Sequence, residues 1–72
     1  MSGIKTPVME RARILFKRSG LSLNALGLRM GYSEQVARKS AWQFLRKTTD
    51  PRLSMLEKFA DALSISIKDL IK

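Results

Sequence analysis

The sequence predicts an all-α fold of five short helices. Apolar residues recur at the three- and four-residue spacing of helix faces, and glycine, proline and capping residues separate five such segments. We predict no strands. The chain has 72 residues, 44% of them hydrophobic, which is enough for one small core and no second one. We therefore expect a flexible N-terminal arm over residues 1–5 and one folded domain over residues 6–72.

Helix one is predicted to begin at Thr6-Pro7, a hydroxyl cap followed by proline at the first helical position, and to end near Ser19. Gly20 then provides the left-handed residue that ends many helices. The predicted buried face contains Val8, Ala12, Leu15 and Phe16. The opposite side is predicted to be a solvated basic face of Arg11, Arg13, Lys17 and Arg18.

Helix two is predicted to start after an N-cap at Ser22 and to run to Met30, where Gly31 ends it. Leu26 and Met30 are four residues apart and should face the core. Gly27 in the middle of a helix costs about 1 kcal/mol relative to alanine. The expected compensation is close approach by another helix.

Helix three is predicted to begin at a Ser33 cap and to end at Thr48-Thr49-Asp50-Pro51. At about 100° per residue, one face is apolar and contains Ala37, Ala41, Phe44 and Leu45. The opposite face carries Gln35, Lys39, Trp42, Gln43 and Arg46, with Arg38 on its flank. Such a helix packs with one face and leaves the other free for a partner.

Helix four is predicted to begin between Asp50-Pro51 and Ser54. Asp50 is one candidate cap, and Ser54 with Glu57 is a candidate capping box. The predicted buried face contains Leu53, Leu56, Phe59, Ala60 and Leu63.

Helix five is predicted to open at Ser66, with Asp69 three residues later as the second member of a capping box. Ile65 and Leu70 can pack together around that cap. The helix is too short to be stable alone and must pack against the rest of the domain.

The net charge of +8 is concentrated in one part of the chain. Residues 11–47 contain nine basic residues and one acid, Glu34, and the segments on either side each sum to zero. Charge segregated in this way attracts polyanions, nucleic acid first and an anionic membrane second. If the basic residues served only to keep the protein soluble, they would not need to be concentrated in one segment.

Several function classes are disfavoured. The chain contains no cysteine and no histidine, and its six acids show no paired spacing on one helix face. There is also no glycine-rich phosphate loop. We therefore expect no enzyme, no cofactor, no metal site and no evident small-molecule ligand. With no apolar run near the roughly 18 residues of a membrane span and no signal peptide, we expect a cytoplasmic protein without membrane association.

Two segments of the chain resemble those of a known protein family. They are residues 19–33, "SGLSLNALGLRMGYS", and residues 50–71, "DPRLSMLEKFADALSISIKDLI". Two short helices joined by a tight glycine-containing turn, from Leu26 to about Phe44, predict a helix-turn-helix. Together the segments resemble the lambda-repressor-like family of DNA-binding regulators, the Xre and Cro group. In the second segment the matching positions are Pro51, Leu53, Leu56, Phe59, Ala60, Leu63, Ile65, Ser66, Ile67 and Leu70.

The resemblance implies sequence-specific binding of double-stranded DNA and regulation of transcription, with helix three in the major groove. Base readout would come from Gln35, Arg38, Lys39 and Gln43. Phosphate contacts would come from Ser22, Asn24, Arg46, Lys47, Thr48 and Thr49. Trp42 either contacts DNA or packs against the loop after helix three.

Some positions depart from the family pattern. Leu23 replaces a glutamine that often contacts phosphate, and Leu28 occupies a usually charged position. Gly27 replaces a common alanine, so alanine should be tolerated there, and Ser64 replaces a common glycine. Between Ser33 and the core residue Phe44, about four extra residues lengthen either helix three or the turn.

Regulators of this kind usually bind paired half-sites as homodimers. We expect a weak dimer through Ile67, Leu70 and Ile71, with Ile71 the main exposed contact, or through Leu23 and Leu28. An alternative function is a protein-interaction module, antitoxin-like or scaffolding, on the same fold. A third is a basic surface for membrane or RNA.

Overall fold

The computed structural model describes residues 7–71, which form five helices and no strand. The helices are α1 (Pro7–Ser19), α2 (Leu23–Arg29), α3 (Ala37–Lys47), α4 (Leu53–Ala62) and α5 (Lys68–Ile71). The predicted all-α class and the number of helices are therefore confirmed for this range. The predicted arm and the cap at Thr6 lie outside the described residues.

The core draws on all five helices. Its largest fully buried side chains are Met9, Leu26, Phe59 and Leu70, which come from α1, α2, α4 and α5. From α3, Phe44 places its ring centroid 5.4 Å from that of Phe59, with an angle of 37° between the rings. No polar or charged side chain is buried among the described residues. Burial of apolar area is therefore the main stabilising contribution.

Both ends of α2 follow the prediction. The Ser22 hydroxyl accepts a hydrogen bond from the Ala25 amide at 3.0 Å, as an N-cap does. At the other end Gly31 has a φ of 102°. The Gly31 amide donates to the Leu28 carbonyl and the Tyr32 amide to the Gly27 carbonyl, each at 3.0 Å, which completes a Schellman motif.

Gly27 lies where α2 meets the beginning of α3, as predicted. A methyl group at residue 27 would overlap the carbonyl group of Ala37 and lie 2.7 Å from its Cα. The expectation that alanine is tolerated at this position is wrong, because the obstacle is the backbone of α3 and not a side chain that can rotate away.

The start of α3 differs from the prediction. The helix begins at Ala37, and residues 34–36 form a turn in which the Val36 amide donates to the Ser33 carbonyl at 3.1 Å. Ser33 is therefore not the cap, and the N-cap residue Val36 supplies no side-chain hydrogen bond. Residues 30–36 connect α2 to α3, so this connection is longer than the tight turn that we predicted.

The start of α4 lies within the predicted range, but neither candidate cap is used. The helix begins at Leu53 after an extended Arg52, and no side chain caps it. Neither Asp50 nor Ser54 is the cap, since Asp50 lies outside this junction and Ser54 is already helical. Leu53 is 60% exposed and does not belong to the core.

The connection from α4 to α5 contains a second Schellman motif. The Ser64 amide donates to the Asp61 carbonyl at 3.0 Å and the Ile65 amide to the Ala60 carbonyl at 2.9 Å. Ser64 occupies the left-handed position with a φ of 59°. At the start of helix five one half of the predicted capping box is present, because the Ser66 amide donates to the Asp69 carboxylate at 3.1 Å. The Ser66 hydroxyl accepts from the Lys68 amide at 3.2 Å and not from the Asp69 amide.

Candidate nucleic-acid interface

The apolar face predicted for α3 is confirmed, and the opposite face is exposed as predicted except for Gln35, which lies outside the helix. Ala37, Ala41, Phe44 and Leu45 are buried. The solvent-exposed residues of the helix are Arg38, Lys39, Trp42, Gln43, Arg46 and Lys47. No acidic residue occurs anywhere between Glu34 and Asp50. The face that α3 leaves to solvent is therefore positively charged along its full length.

Lys39, Trp42, Gln43 and Arg46 form one stripe along the middle of this face, which we call the exposed stripe. Trp42 and Gln43 follow Lys39 by three and four residues, and Arg46 follows it by seven, which is the spacing of neighbours on a helix surface. Lys39 and Arg46 are two turns apart, roughly 10 Å along the axis. Arg38 lies at the edge of the stripe, about 100° around the helix from Lys39.

The exposed stripe forms a ridge between two grooves. The first groove, of about 730 Å³, lies between α3 and the start of α4, and Gln43 and Lys47 contribute to its lining together with Tyr32 and Arg52. The second groove, of about 300 Å³, lies between α1, α2 and α3. Trp42 and Arg46 line that second groove.

Trp42 is 43% exposed. It lines the second groove beside Leu23 and Leu45, and it is absent from the first groove, where the loop after α3 lies. The Lys47 ammonium nitrogen is 5.7 Å from the centre of the Trp42 ring, within cation–π distance. The indole therefore combines an accessible apolar surface with a neighbouring positive charge.

Two arginines of the basic segment serve the fold. Arg13 donates from Nη1 to the Leu45 carbonyl at 2.8 Å, and Arg29 donates from Nη1 to the Ala62 carbonyl at 3.1 Å. Each acceptor lies in the last turn of a helix, where carbonyl groups lack helical partners and the helix dipole favours a cation. Arg13 is half-buried, so its predicted place on a solvated face is wrong.

Gln35 does not lie on α3. It is exposed in the turn of residues 34–36, so its predicted position on the same helix face as Lys39 is wrong. The reason is the late start of the helix. Arg38, Lys39 and Gln43 are helical and exposed, as predicted.

The residues predicted to contact phosphate fall into two groups. Arg46 and Lys47 are exposed at the end of α3, followed by the half-buried Thr48 and the exposed Thr49. Ser22 and Asn24 are exposed at the start of α2. Leu23, between these last two, lines the second groove with Trp42 and Arg46, so the start of α2 lies beside the exposed stripe.

The residues predicted to form a dimer contact differ in how exposed they are to solvent. Leu70 is only 1% exposed and belongs to the core, so it is not available to a partner. Ile67 is half-buried against the core, and the side chain of Ile71 lies outside the described residues. In the alternative patch Leu28 is 40% exposed, whereas Leu23 is half-buried.

Two further properties bear on function. Within residues 7–71, no group of three or more histidine, cysteine or acidic side chains is placed to hold a metal ion. None of the helices in that range combines the length and the apolar character that a bilayer span requires.

Comparisons with known proteins identify no relative of this chain. No protein-family model matches it, and no match was found among curated proteins or solved structures. Its function is therefore inferred from the placement and chemistry of its own residues.

Proposed function

We propose that the protein is a sequence-specific binder of double-stranded DNA, a small transcription regulator of the lambda-repressor-like helix-turn-helix family. In this proposal α2 and α3 form the helix-turn-helix, and α3 lies in the major groove. The observation that carries the proposal is the exposed stripe of α3. It presents two cations, a glutamine and an indole to solvent, while the opposite face of the same helix is buried.

The dimensions of α3 suit this role. B-DNA's major groove is wide enough for one helix, and a helix can enter it only if its outer face is free of neighbouring elements. The exposed stripe meets that requirement because the grooves on both sides separate it from α1, α2 and α4. The contact between Gly27 and Ala37 holds the start of α3 against α2 and so fixes the position of the exposed stripe relative to α2.

Base readout is assigned first to Lys39 and Gln43, which belong to the exposed stripe. A lysine donates to the guanine acceptors, and a glutamine pairs with both adenine edge groups. Arg38, at the edge, reads a base if the helix is tilted toward α2, and Gln35 in the turn has a lesser part. Trp42 is assigned to an apolar contact with a thymine methyl group or a sugar.

Phosphate contacts are assigned to the flanks of the ridge. Arg46 and Lys47 carry charge at the end of α3, and Thr48 and Thr49 follow in the loop, while Asn24 is exposed at the start of α2. The Ser22 hydroxyl accepts from the Ala25 amide, and its O–H group can still donate to a phosphate oxygen. The net charge of +8 adds a sequence-independent attraction to DNA.

A single α3 reads few base pairs, so we propose that two copies bind a two-fold site as a weak homodimer. With Leu70 in the core, Ile67 and Ile71 remain the candidate contact at the C-terminal end. We also propose a cytoplasmic location and no catalytic role.

The test is a selection from random duplexes, followed by titration of the selected duplex, a scrambled duplex, homopolymer RNA and anionic vesicles at one salt concentration. The proposal expects one enriched motif and binding of the selected duplex about 10³-fold or more tighter than the scrambled one. No enriched motif, or equal affinity for all four, would refute DNA readout and favour a general polyanion surface.

A further inference from the structure

The second groove contains residues that have no role in the proposed DNA binding. Three helices contribute to it: Arg13, Phe16 and Lys17 from α1, Leu23 from α2, and Trp42, Leu45 and Arg46 from α3. Four of these side chains are apolar, three are cationic and none is acidic. The groove therefore combines an apolar floor with a rim of one charge sign.

The apolar surface can hold an aromatic ring. Phe16 and Leu23 are half-buried and Trp42 is 43% exposed, so each presents accessible carbon atoms to the groove. Leu23 is important here, because it is the contribution of α2 to this apolar surface. The volume of about 300 Å³ lies at the lower end of the roughly 300–1,000 Å³ of ligand pockets. One ring with a short chain matches this volume.

The cations set the charge of the ligand. Arg13 is held in place by its hydrogen bond to the Leu45 carbonyl at 2.8 Å, and its remaining N–H groups can still donate. Lys17 and Arg46 are exposed at the rim. With no carboxylate in the lining to neutralise them, the three cations favour an anionic group next to the bound ring.

We propose that the groove between α1, α2 and α3 binds a small aryl carboxylate. The ring packs between Phe16, Leu23 and Trp42, and the carboxylate accepts hydrogen bonds from Lys17 and Arg46. Since Trp42 and Arg46 also belong to the exposed stripe, a bound ligand would compete with DNA. Only this last consequence rests on the proposed function.

The binding step is tested without DNA. Trp42 is the only tryptophan of the chain, so its fluorescence reports directly on the groove. The probe is 4-phenylbutyrate, and 4-phenylbutanol is its uncharged analogue. We expect a saturable change with the acid and binding of the alcohol that is weaker by about tenfold, because the alcohol lacks the charge that pairs with the two exposed cations.

The matched variants are Lys17→Glu and Arg18→Glu. Both residues are exposed near the end of α1 and both changes replace a positive charge by a negative one, but only Lys17 lines the groove. We expect Lys17→Glu to weaken the binding of 4-phenylbutyrate by roughly three- to tenfold, the range for a partly exposed charge pair. Arg18→Glu should leave it nearly unchanged. Lys17→Ala against Arg18→Ala repeats the comparison without adding an acid.

Three results would overturn the site: no saturable change with the acid, equal binding of the acid and the alcohol, or equal weakening by the two charge variants. The last result would reduce the effect to the overall charge. Displacement of the selected duplex by 4-phenylbutyrate is a separate measurement. If the probe binds but no duplex is ever bound, the groove site stands and the proposed DNA function fails.

Discussion

Gly27 of α2 lies against the backbone of Ala37, the first residue of α3, so closely that no side chain can be added at residue 27 without moving one helix. A methyl group there would lie 2.7 Å from the Ala37 Cα and would overlap its carbonyl group. The two helices that we propose as the DNA-binding unit are thus in contact at the point where the second one begins.

Replacement of Gly27 by alanine should therefore destabilise the protein. Alanine raises helix propensity by about 1 kcal/mol, but the clash is with backbone, and overpacking of this kind costs typically about 1–3 kcal/mol. We expect a net loss in the free energy of unfolding, and a larger loss for Gly27→Leu, both measured by urea denaturation. Asn24→Ala, at an exposed position of α2, is the control. A Gly27→Ala protein as stable as the parent would show that α2 and α3 are further apart.

Ser64 should gain stability when it is replaced by glycine. Its φ of 59° is left-handed, which costs a non-glycine residue roughly 1–2 kcal/mol. Glycine removes this strain but loses roughly 0.5–1 kcal/mol in backbone entropy, so we expect a net gain of about 0.5–1 kcal/mol. Ser54→Gly, inside α4, should instead lose about 0.5–1 kcal/mol. Thermal unfolding of both variants checks the opposite signs, and a destabilised Ser64→Gly would contradict the assigned backbone conformation.

Arg13 should contribute to stability, unlike the exposed Arg11 of the same helix. Arg13→Ala removes the hydrogen bond to the Leu45 carbonyl, and hydrogen bonds from charged groups contribute about 1.5–3 kcal/mol. Because Arg13 is only half-buried, we expect the lower part of this range. Arg11→Ala should change the free energy of unfolding by less than about 0.5 kcal/mol. Equal stability of the two variants would place Arg13 among the solvated cations.

The positions that the sequence predicts correctly are those that local chemistry determines. Gly20 and Gly31 have positive φ values, Ser22 caps α2, and the buried face of α3 follows from its apolar spacing. Each of these features depends on residues within one or two turns of one another. Local patterns determine them because capping and periodicity act over that range.

Features that depend on distant parts of the chain could not be predicted in this way. Arg13 and its acceptor Leu45 are 32 residues apart. The intolerance of residue 27 to a methyl group depends on where the backbone of α3 lies. The sequence does not predict the start of α3 at Ala37, because Ser33 is an acceptable cap in isolation, although its carbonyl accepts from the Val36 amide in a turn. The sequence places Gln35 on the helix for the same reason.

Binding to DNA should weaken steeply with salt if the basic residues of the chain contact phosphates. The slope of log K against log [salt] is about −0.9 for each phosphate neutralised on duplex DNA. Arg46→Ala, at the end of α3, should reduce this slope by about 1 and weaken all sequences similarly. Titrations at several salt concentrations measure the slope, and an unchanged slope for Arg46→Ala would remove that residue from the phosphate contacts.

The most direct test of the central claim compares Lys39→Ala with Lys58→Ala on the selected duplex and on single-base variants of it. Both lysines are exposed and both changes remove one charge, but Lys39 lies on the exposed stripe of α3 and Lys58 on α4. We predict that Lys39→Ala weakens binding by about 1–3 kcal/mol and relaxes specificity at one base pair. Lys58→Ala should change binding by less than about 0.5 kcal/mol and leave specificity intact. Equal effects of the two substitutions, with no base pair relaxed by Lys39→Ala, would contradict insertion of α3 into the major groove.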